Sequence, residues 1–169
     1  MANKDINGKQ CTIVWHVDDL KISHVDPNVV TNIITELERR YAQMMPLSIS
    51  RGKVHEYLGM IFDFTILGEV CITMYQYITG VIDNAPAIYK QGAGGATPAP
   101  INLYEVRDPE SEFAVLLDNK EKEEYHSLTA QLLYLSKRGR PDIQQAIAFH
   151  CTRVSKPDKD DQKKLARTI

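Results

Sequence analysis

Two adjacent carboxylates, Asp18 and Asp19, stand between two short segments rich in strand-forming residues. The segment before them reads CTIVWHV, and the segment after them reads LKIS. Because β-branched and aromatic residues favour strands, this pattern predicts a strand, a tight turn and a second strand over residues 10–25. Such a hairpin would hold both carboxylates at its tip, although Asp is also a common residue of ordinary turns.

Paired carboxylates are the ligands that phosphoryl transfer with two cations requires. The cations need hard oxygen ligands that bridge them, so that they clamp the attacking and leaving oxygens. Because neighbouring residues of a strand face opposite sides, the hairpin can direct one of Asp18 and Asp19 inward. A complete site would therefore need at least one more carboxylate from another strand.

Beyond the hairpin, the sequence predicts an α+β fold. Asp26 and Pro27 are typical of an N-cap and a first helical residue, and apolar residues at helical spacing extend that helix to about Ala42. Residues 57–64 and 70–74 are expected to be strands on either side of a turn. A helix weakened by Gly80 and Pro86 is then predicted from Tyr75 to about Ile88.

A segment rich in glycine, proline and alanine, KQGAGGATPAP, covers residues 90–100 and is predicted to be a linker. We therefore expect a first domain over 1–89, a linker over 90–118 and a helical lobe over 119–169. In that lobe, apolar residues share one face of each predicted helix: Tyr125, Leu128, Leu132 and Leu135, then Ile143, Ala146, Ile147, His150 and Val154. Asp158 should begin a third helix.

These motifs, taken in order, resemble those of the reverse transcriptases of copia-type (LTR) retrotransposons. His16-Val17-Asp18-Asp19 resembles the YVDD box of that family. The later matches follow in the family's order: Tyr57-Leu58-Gly59-Met60, Gln76-Tyr77-Ile78, Thr97-Pro98, Tyr125-His126-Ser127-Leu128 with Leu132-Leu133-Tyr134-Leu135-Ser136, and Arg140-Pro141-Asp142-Ile143. The resemblance covers roughly residues 10–169.

The resemblance implies an RNA-directed DNA polymerase that performs Mg²⁺-dependent nucleotidyl transfer on an RNA template and a DNA primer. Asp18 and Asp19 would be catalytic residues that hold Mg²⁺ or Mn²⁺, and the segment from Tyr57 through Leu58 and Gly59 to Met60 would be primer-grip-like. The fold would be an antiparallel palm-like sheet with covering helices, followed by a thumb- or connection-like lobe. The family also implies an intracellular setting, in the cytoplasm or in a virus-like particle.

The chain departs from the family pattern at three positions, with His16 for Tyr, Ala130 for Gly and Gly139 for Thr. Within these 169 residues we find no counterpart of the fingers or of the palm strand that carries the other catalytic Asp. Ribonuclease H, integrase and protease segments are likewise not found. We therefore expect a palm-to-thumb fragment that needs the missing polymerase segments for activity and does not incorporate nucleotides alone.

A second hypothesis is a non-catalytic remnant that binds nucleic acid through a basic C-terminal lobe. Residues 1–119 carry 9 Lys and Arg against 15 Asp and Glu, whereas residues 120–169 carry 11 against 7. The candidate phosphate contacts are Lys137, Arg138, Arg140, Lys163 and Lys164. A solvated helical face would have the same charge count, and in a purely structural module Asp18 and Asp19 would be no more than a turn.

Trp15, the three cysteines and the lengths of the apolar runs give further expectations. Trp15 could stack on a base, or it could be a buried strand residue. The cysteines Cys11, Cys71 and Cys151 are odd in number and widely spaced, so we expect unpaired thiols in the core. The first ten residues are polar, and the chain has no apolar run long enough for a signal peptide or a transmembrane helix.

Overall fold

A computed structural model describes residues 1–43, 45–91, 96–108 and 110–169 of the chain. It divides into two compact units, Met1–Ile72 and Thr73–Ile169. Both strands and helices are present, which confirms the predicted α+β class. Two three-stranded sheets occur in the described residues, where the sequence predicted a single palm-like sheet.

The first sheet is an antiparallel meander of β1 (Ala2–Ile6), β2 (Lys9–His16) and β3 (Asp19–Ser23). The β2–β3 hairpin confirms the strand–turn–strand prediction. Strand β1 was not predicted, although the sequence carries a signal for it in Asn7-Gly8. These two residues have φ angles of 56° and 73°, the left-handed values that a two-residue hairpin turn requires.

The second sheet contains β4 (Val54–Tyr57), β5 (Met60–Asp63) and β6 (Cys71–Thr73). Here the prediction of a continuous strand over residues 57–64 is wrong. Tyr57 pairs with Met60, and Leu58 and Gly59 form the turn between them with φ angles of 52° and 66°. Gly59 adopts this conformation at little cost, and it is the residue that allows the chain to reverse.

Helix α1 (Pro27–Tyr41) begins where the sequence predicted, because the Asp26 carboxylate accepts a hydrogen bond from the Asn28 amide at 2.9 Å. Most of its apolar residues are half-buried and Tyr41 is exposed, and the buried apolar residue of the helix is Val29. Together with Cys11 it is one of only two apolar residues buried in the described part of the first unit. The first unit therefore gains little stability from a core of its own.

The second unit is helical and contains α2 (Tyr75–Asn84), α3 (Ala87–Lys90), α4 (Asn119–Ser136), α5 (Gln144–Arg153) and α6 (Lys159–Thr168). A short 3₁₀ turn, Pro141–Ile143, precedes α5. Capping boxes define the starts of α4 and α6, with Asp118 and Glu121 at the first and Asp158 and Asp161 at the second. The predicted helix start at Asp158 is therefore confirmed. No helix among the described residues combines the length and the apolar character needed to cross a membrane.

The core lies almost entirely in this helical unit. Its buried apolar residues are Met74, Val81, Ala85, Tyr89, Leu103, Leu117, Tyr125, Leu128, Leu132, Leu135, Ile143, Ala146, Ile147 and Leu165. They include most of the residues predicted from helical spacing. The expectation of core cysteines holds for Cys11 alone, since Cys71 is exposed and Cys151 is half-buried.

The irregular segment after the glycine-rich stretch packs on α5 and α6. The Thr97 and Pro98 carbonyls accept hydrogen bonds from the Arg167 and Thr168 side chains at 3.2 and 3.1 Å. Leu103 is buried, and the Lys164 ammonium donates to the Glu105 carbonyl at 2.6 Å. Gly92, Ala93, Gly94 and Gly95 of the predicted linker, and Pro109, lie outside the described residues.

The compact units divide at residue 72, earlier than the boundary predicted at residue 90. The reason is that α2 packs on α4, where the Tyr77 hydroxyl donates to the Gln131 carbonyl at 3.2 Å. Compact units and polymerase subdomains are different kinds of division. The predicted domains over 1–89, 90–118 and 119–169 therefore stay a prediction.

A buried polar pair joins α4 to α5. The Tyr125 hydroxyl and His150 Nδ1 lie 2.7 Å apart, and both residues are fully buried. His150 Nε2 has no hydrogen-bond partner among the described residues. Desolvation, with a smaller effect from Lys164, lowers the pKa of His150 from its ordinary 6.5 to about 4. The histidine is therefore neutral in the folded chain under conditions where it is charged in the unfolded chain.

We expect the free energy of unfolding to fall as the pH is lowered from 6.5 to about 4. In this range the unfolded chain binds a proton at His150 that the folded chain excludes, so stability rises with pH by up to roughly 3 kcal/mol. Urea unfolding followed by far-UV circular dichroism at several pH values measures it. His150→Gln should flatten the dependence, whereas His126→Gln, at an exposed position, should leave it unchanged.

Burial raises the pKa of Asp161, so the folded chain binds a proton there more readily than the unfolded chain does. Asp161 therefore favours the folded state as the pH falls, which opposes the effect of His150. The comparison between the native chain and His150→Gln removes that common contribution. Equal pH profiles for the two proteins would contradict the role of His150.

Candidate functional site

The two carboxylates lie at the tip of the β2–β3 hairpin, as the sequence predicted. His16 is the last residue of β2 and pairs with Asp19, the first residue of β3, so that only Val17 and Asp18 form the connection. Val17 has a φ of 50°, and it is the only one of the two connecting residues with a positive value. This sign pattern is that of a type II′ turn, in which glycine is preferred at the first position.

Val17 therefore carries backbone strain. A β-branched residue rarely adopts positive φ, and a residue held there costs on the order of 1–3 kcal/mol. Its side chain is 83% exposed, so packing does not compensate for that cost. Strain of this kind is concentrated at functional sites, where the position of a neighbouring group matters more than local stability.

The pairing register assigns the side chains to faces of the sheet. Asp19 shares a face with His16 and Lys21, because directly opposed residues and residues two apart on a strand point the same way. Trp15 and Leu20 form the adjacent pair on the other face, and both are about half exposed. Of the two possibilities for Trp15, the buried strand residue is therefore wrong, since about half of its side chain is exposed.

Asp18 and Asp19 are both exposed, and neither carboxylate forms a hydrogen bond or an ion pair with the described part of the chain. Their oxygens are thus available to an external ligand. Carboxylate oxygens are the hard donors that Mg²⁺ prefers, so the residue types fit such a cation. In the described residues, however, no group of three or more His, Cys, Asp or Glu side chains is placed to hold a metal ion. The described residues therefore do not form a complete metal site by themselves.

Lys21 connects the carboxylate-bearing strand to the second sheet. Its ammonium lies 5.6 Å from the centre of the Phe62 ring and 5.3 Å from that of Phe64. Both distances are within the range of a cation–π interaction. The Phe64 ring also meets His55 edge to face. Lys21, on the same face of the sheet as Asp19, therefore contacts aromatic residues of β5 and of the segment after it.

The predicted primer-grip-like residues Tyr57, Leu58, Gly59 and Met60 form the tip of the β4–β5 hairpin. All four are half-buried, and the Tyr57 hydroxyl is buried without a hydrogen-bond partner in the described residues. Their assignment to primer contact stays a prediction, now placed on a hairpin tip in the same compact unit as the carboxylates.

The five predicted phosphate contacts have different surroundings in the structure. Lys137 and Lys163 are exposed, and Arg138 is exposed above the ring of Tyr134. Arg140 pairs with Asp142 through two hydrogen bonds of 2.8 and 2.7 Å, which offsets its charge. The lobe therefore presents fewer uncompensated cations than its sequence suggests.

Lys164 is buried, so its predicted contact with phosphate is wrong. It is only 4% exposed, and its ammonium donates to the Glu105 carbonyl and lies 2.8 Å from an Asp160 carboxylate oxygen. It anchors the irregular segment to α6, so it has no free donor facing solvent for a phosphate. The neighbouring Lys163 points outward because α6 turns by about 100° per residue.

Comparison with known proteins gives one informative similarity. The chain is 24% identical, over 143 residues, to a transposon Ty5-1 protein of Saccharomyces cerevisiae. The alignment covers 81% of this chain and 40% of the yeast protein, so the chain spans less than half of that relative's length. No family model matches the chain, and no solved structure matches it.

The similarity supports a transposon-related origin for the chain. This agrees in part with the expectation drawn from the motifs, which named a retrotransposon. Polymerase activity, the cation and the nucleic-acid partners are not addressed by it.

Sequence reasoning missed three features of the candidate functional residues, two in the first unit and one in the second. The strain at Val17 had a visible signal, because a two-residue turn between paired strands needs positive φ and valine tolerates it poorly. The contact of Lys21 with Phe62 and Phe64 joins separate hairpins and had no local signal. The position of Arg138 over Tyr134 had one, since residues four apart lie on the same side of a helix turn.

We expect Val17→Gly to raise the free energy of unfolding of the first unit by roughly 0.5–1 kcal/mol, because glycine removes the left-handed strain. Val54→Gly is the matched control. Val54 is a half-exposed strand valine without positive φ, so that change should destabilise by a similar amount. Trp15, the only tryptophan of the chain, gives a fluorescence signal for urea unfolding next to the turn. Equal effects of the two substitutions would contradict the assignment of strain.

Proposed function

We propose that this chain is the palm-to-thumb part of a copia-type reverse transcriptase, and that Asp18 and Asp19 bind Mg²⁺ for nucleotidyl transfer. The carrying observation is the β2–β3 hairpin, whose two-residue turn presents two exposed and unpaired carboxylates beside a strained Val17. The order of the sequence motifs and the similarity to a transposon protein support the proposal.

An ordinary turn would account for the Asp pair less well. Asp residues in simple turns usually accept hydrogen bonds from nearby backbone amides, as Asp5 does from Gly8 in the β1–β2 hairpin at 2.9 Å. Asp18 and Asp19 make no such bond, so they do not stabilise the turn in which they lie. A costly backbone conformation that carries two unused carboxylates is better explained by binding of an external cation.

In the proposed reaction the chain's own residues have limited and specific tasks. Asp18 and Asp19 would hold the cation, and a bound Mg²⁺ stabilises negative charge on the transferring phosphoryl group. Asp19 lies on the face of the sheet that continues through Lys21 to Phe62 and Phe64. Tyr57 to Met60 would contact the primer. Fingers and a further carboxylate would come from polymerase segments outside these 169 residues.

Binding of a paramagnetic cation tests the role of the carboxylates without requiring activity. Titration with Mn²⁺ should broaden the backbone amide signals of residues 16–20 before those of any other exposed turn. Asp18→Asn and Asp19→Asn should each weaken this effect about tenfold, because each removes one charged oxygen ligand.

Asp83→Asn is the matched control, since Asp83 is an exposed carboxylate whose side chain has no hydrogen bond to the described residues. It should leave the broadening at residues 16–20 unchanged. Broadening that survives in the Asp18→Asn, Asp19→Asn double variant would show that the hairpin does not bind the cation.

A further inference from the structure

In the described part of the chain, most arginines form an ion pair with a carboxylate, but Arg138 does not. Five others pair with a carboxylate: Arg39 and Arg40 with Glu36, Arg107 with Asp160, Arg140 with Asp142, and Arg153 with Asp161. Arg138 is exposed and forms no ion pair with the described residues. Its Cζ atom lies 3.8 Å from the centre of the Tyr134 ring. The structure thus holds an uncompensated guanidinium against an aromatic face.

The ring beneath Arg138 is itself fixed. Tyr134 packs against Tyr77 with ring centres 5.2 Å apart, and the Tyr77 hydroxyl donates to the Gln131 carbonyl at 3.2 Å. The Arg138 guanidinium also donates through Nη1 to the Tyr134 carbonyl at 3.3 Å. The contacts between α2 and α4 hold the Tyr134 ring, and the two contacts of Arg138 with Tyr134 restrict the rotamers of Arg138 before any ligand binds.

Backbone hydrogen bonds also define the chain at the end of α4, where Arg138 lies. The amides of Arg138, Gly139 and Arg140 all donate to the Leu135 carbonyl, at 3.1, 2.9 and 3.1 Å. A Cβ atom at Gly139 would lie 3.0 Å from the Met74 sulfur, so a side chain there would press on a buried residue. The exposed side chains of Lys137 and Arg138 therefore project from a well-defined position at the end of α4.

We propose that Arg138, held on the Tyr134 ring, is the principal phosphate-binding side chain of the helical unit, with Lys137 as a second cation. A stacked guanidinium keeps most of its N–H groups for a phosphate and loses little side-chain entropy when it binds one. Tyr134 is then a positioning residue. The inference rests on the proposed function, because a nucleic-acid duplex is the substrate that this function implies.

The test uses the full chain and fluorescence anisotropy with a labelled DNA duplex and an RNA–DNA hybrid of about 20 base pairs, at about 50 and 200 mM salt. Arg138→Gln should weaken binding to both roughly tenfold and reduce the slope of log affinity against log salt by about 0.9, the value for one lost phosphate contact. Arg138→Lys should weaken binding about threefold with an unchanged slope, because the charge stays and the stacked geometry is lost.

Tyr134→Leu should behave like Arg138→Lys, and Tyr134→Phe, which keeps the ring, should bind like the native chain. Arg39→Gln is the control for net charge, since Arg39 is exposed and paired with Glu36, and its binding should stay within about twofold of native. A native chain that does not bind at low salt would overturn the inference, as would Arg138→Gln or Arg138→Lys variants that bind like native. The Mn²⁺ titration of residues 16–20 uses no nucleic acid, so failure of this binding test is distinct from failure of the cation site.

Discussion

Because only Val17 and Asp18 connect β2 to β3, His16 and Asp19 must face each other and the chain must turn within two residues. A right-handed strand twist favours turns with positive φ for such a connection, and here the positive φ falls on a valine. The site's geometry follows from this one constraint. Asp18 is placed at the apex, Asp19 at the start of a paired strand, and neither carboxylate contributes to holding the turn.

The parts of the fold that local chemistry determines could be predicted from the sequence. The β2–β3 hairpin, the helix start at Asp26 and the helix start at Asp158 each depend on residues within a few positions of one another. The strand β1 was missed because its residues, ANKDI, are polar and show no apolar alternation. Tyr57 to Met60 was mistaken for strand because leucine seldom occupies the left-handed region that Leu58 adopts.

The exposure of the candidate phosphate contacts could not be predicted from the sequence in every case. Lys163 and Lys164 are adjacent and chemically identical, yet only Lys163 is exposed. What separates them is the irregular segment that carries Glu105, together with Asp160 one turn earlier on α6. Such distant packing has no periodic signal. Arg138 is different, because its partner Tyr134 lies one helical turn away, and the pair could be recognised from spacing alone.

Template–primer extension tests most directly whether the Asp18–Asp19 hairpin serves nucleotidyl transfer, as we propose. The assay compares this chain with a chimera in which the fingers and first palm strand of a copia-type reverse transcriptase precede it. We expect no extension by the chain alone and Mg²⁺-dependent extension by the chimera. Asp18→Asn should reduce that extension by about a hundredfold or more, and Asp83→Asn should not reduce it. A chimera that extends primers equally well with Asp18→Asn would contradict the proposed role of the hairpin in nucleotidyl transfer.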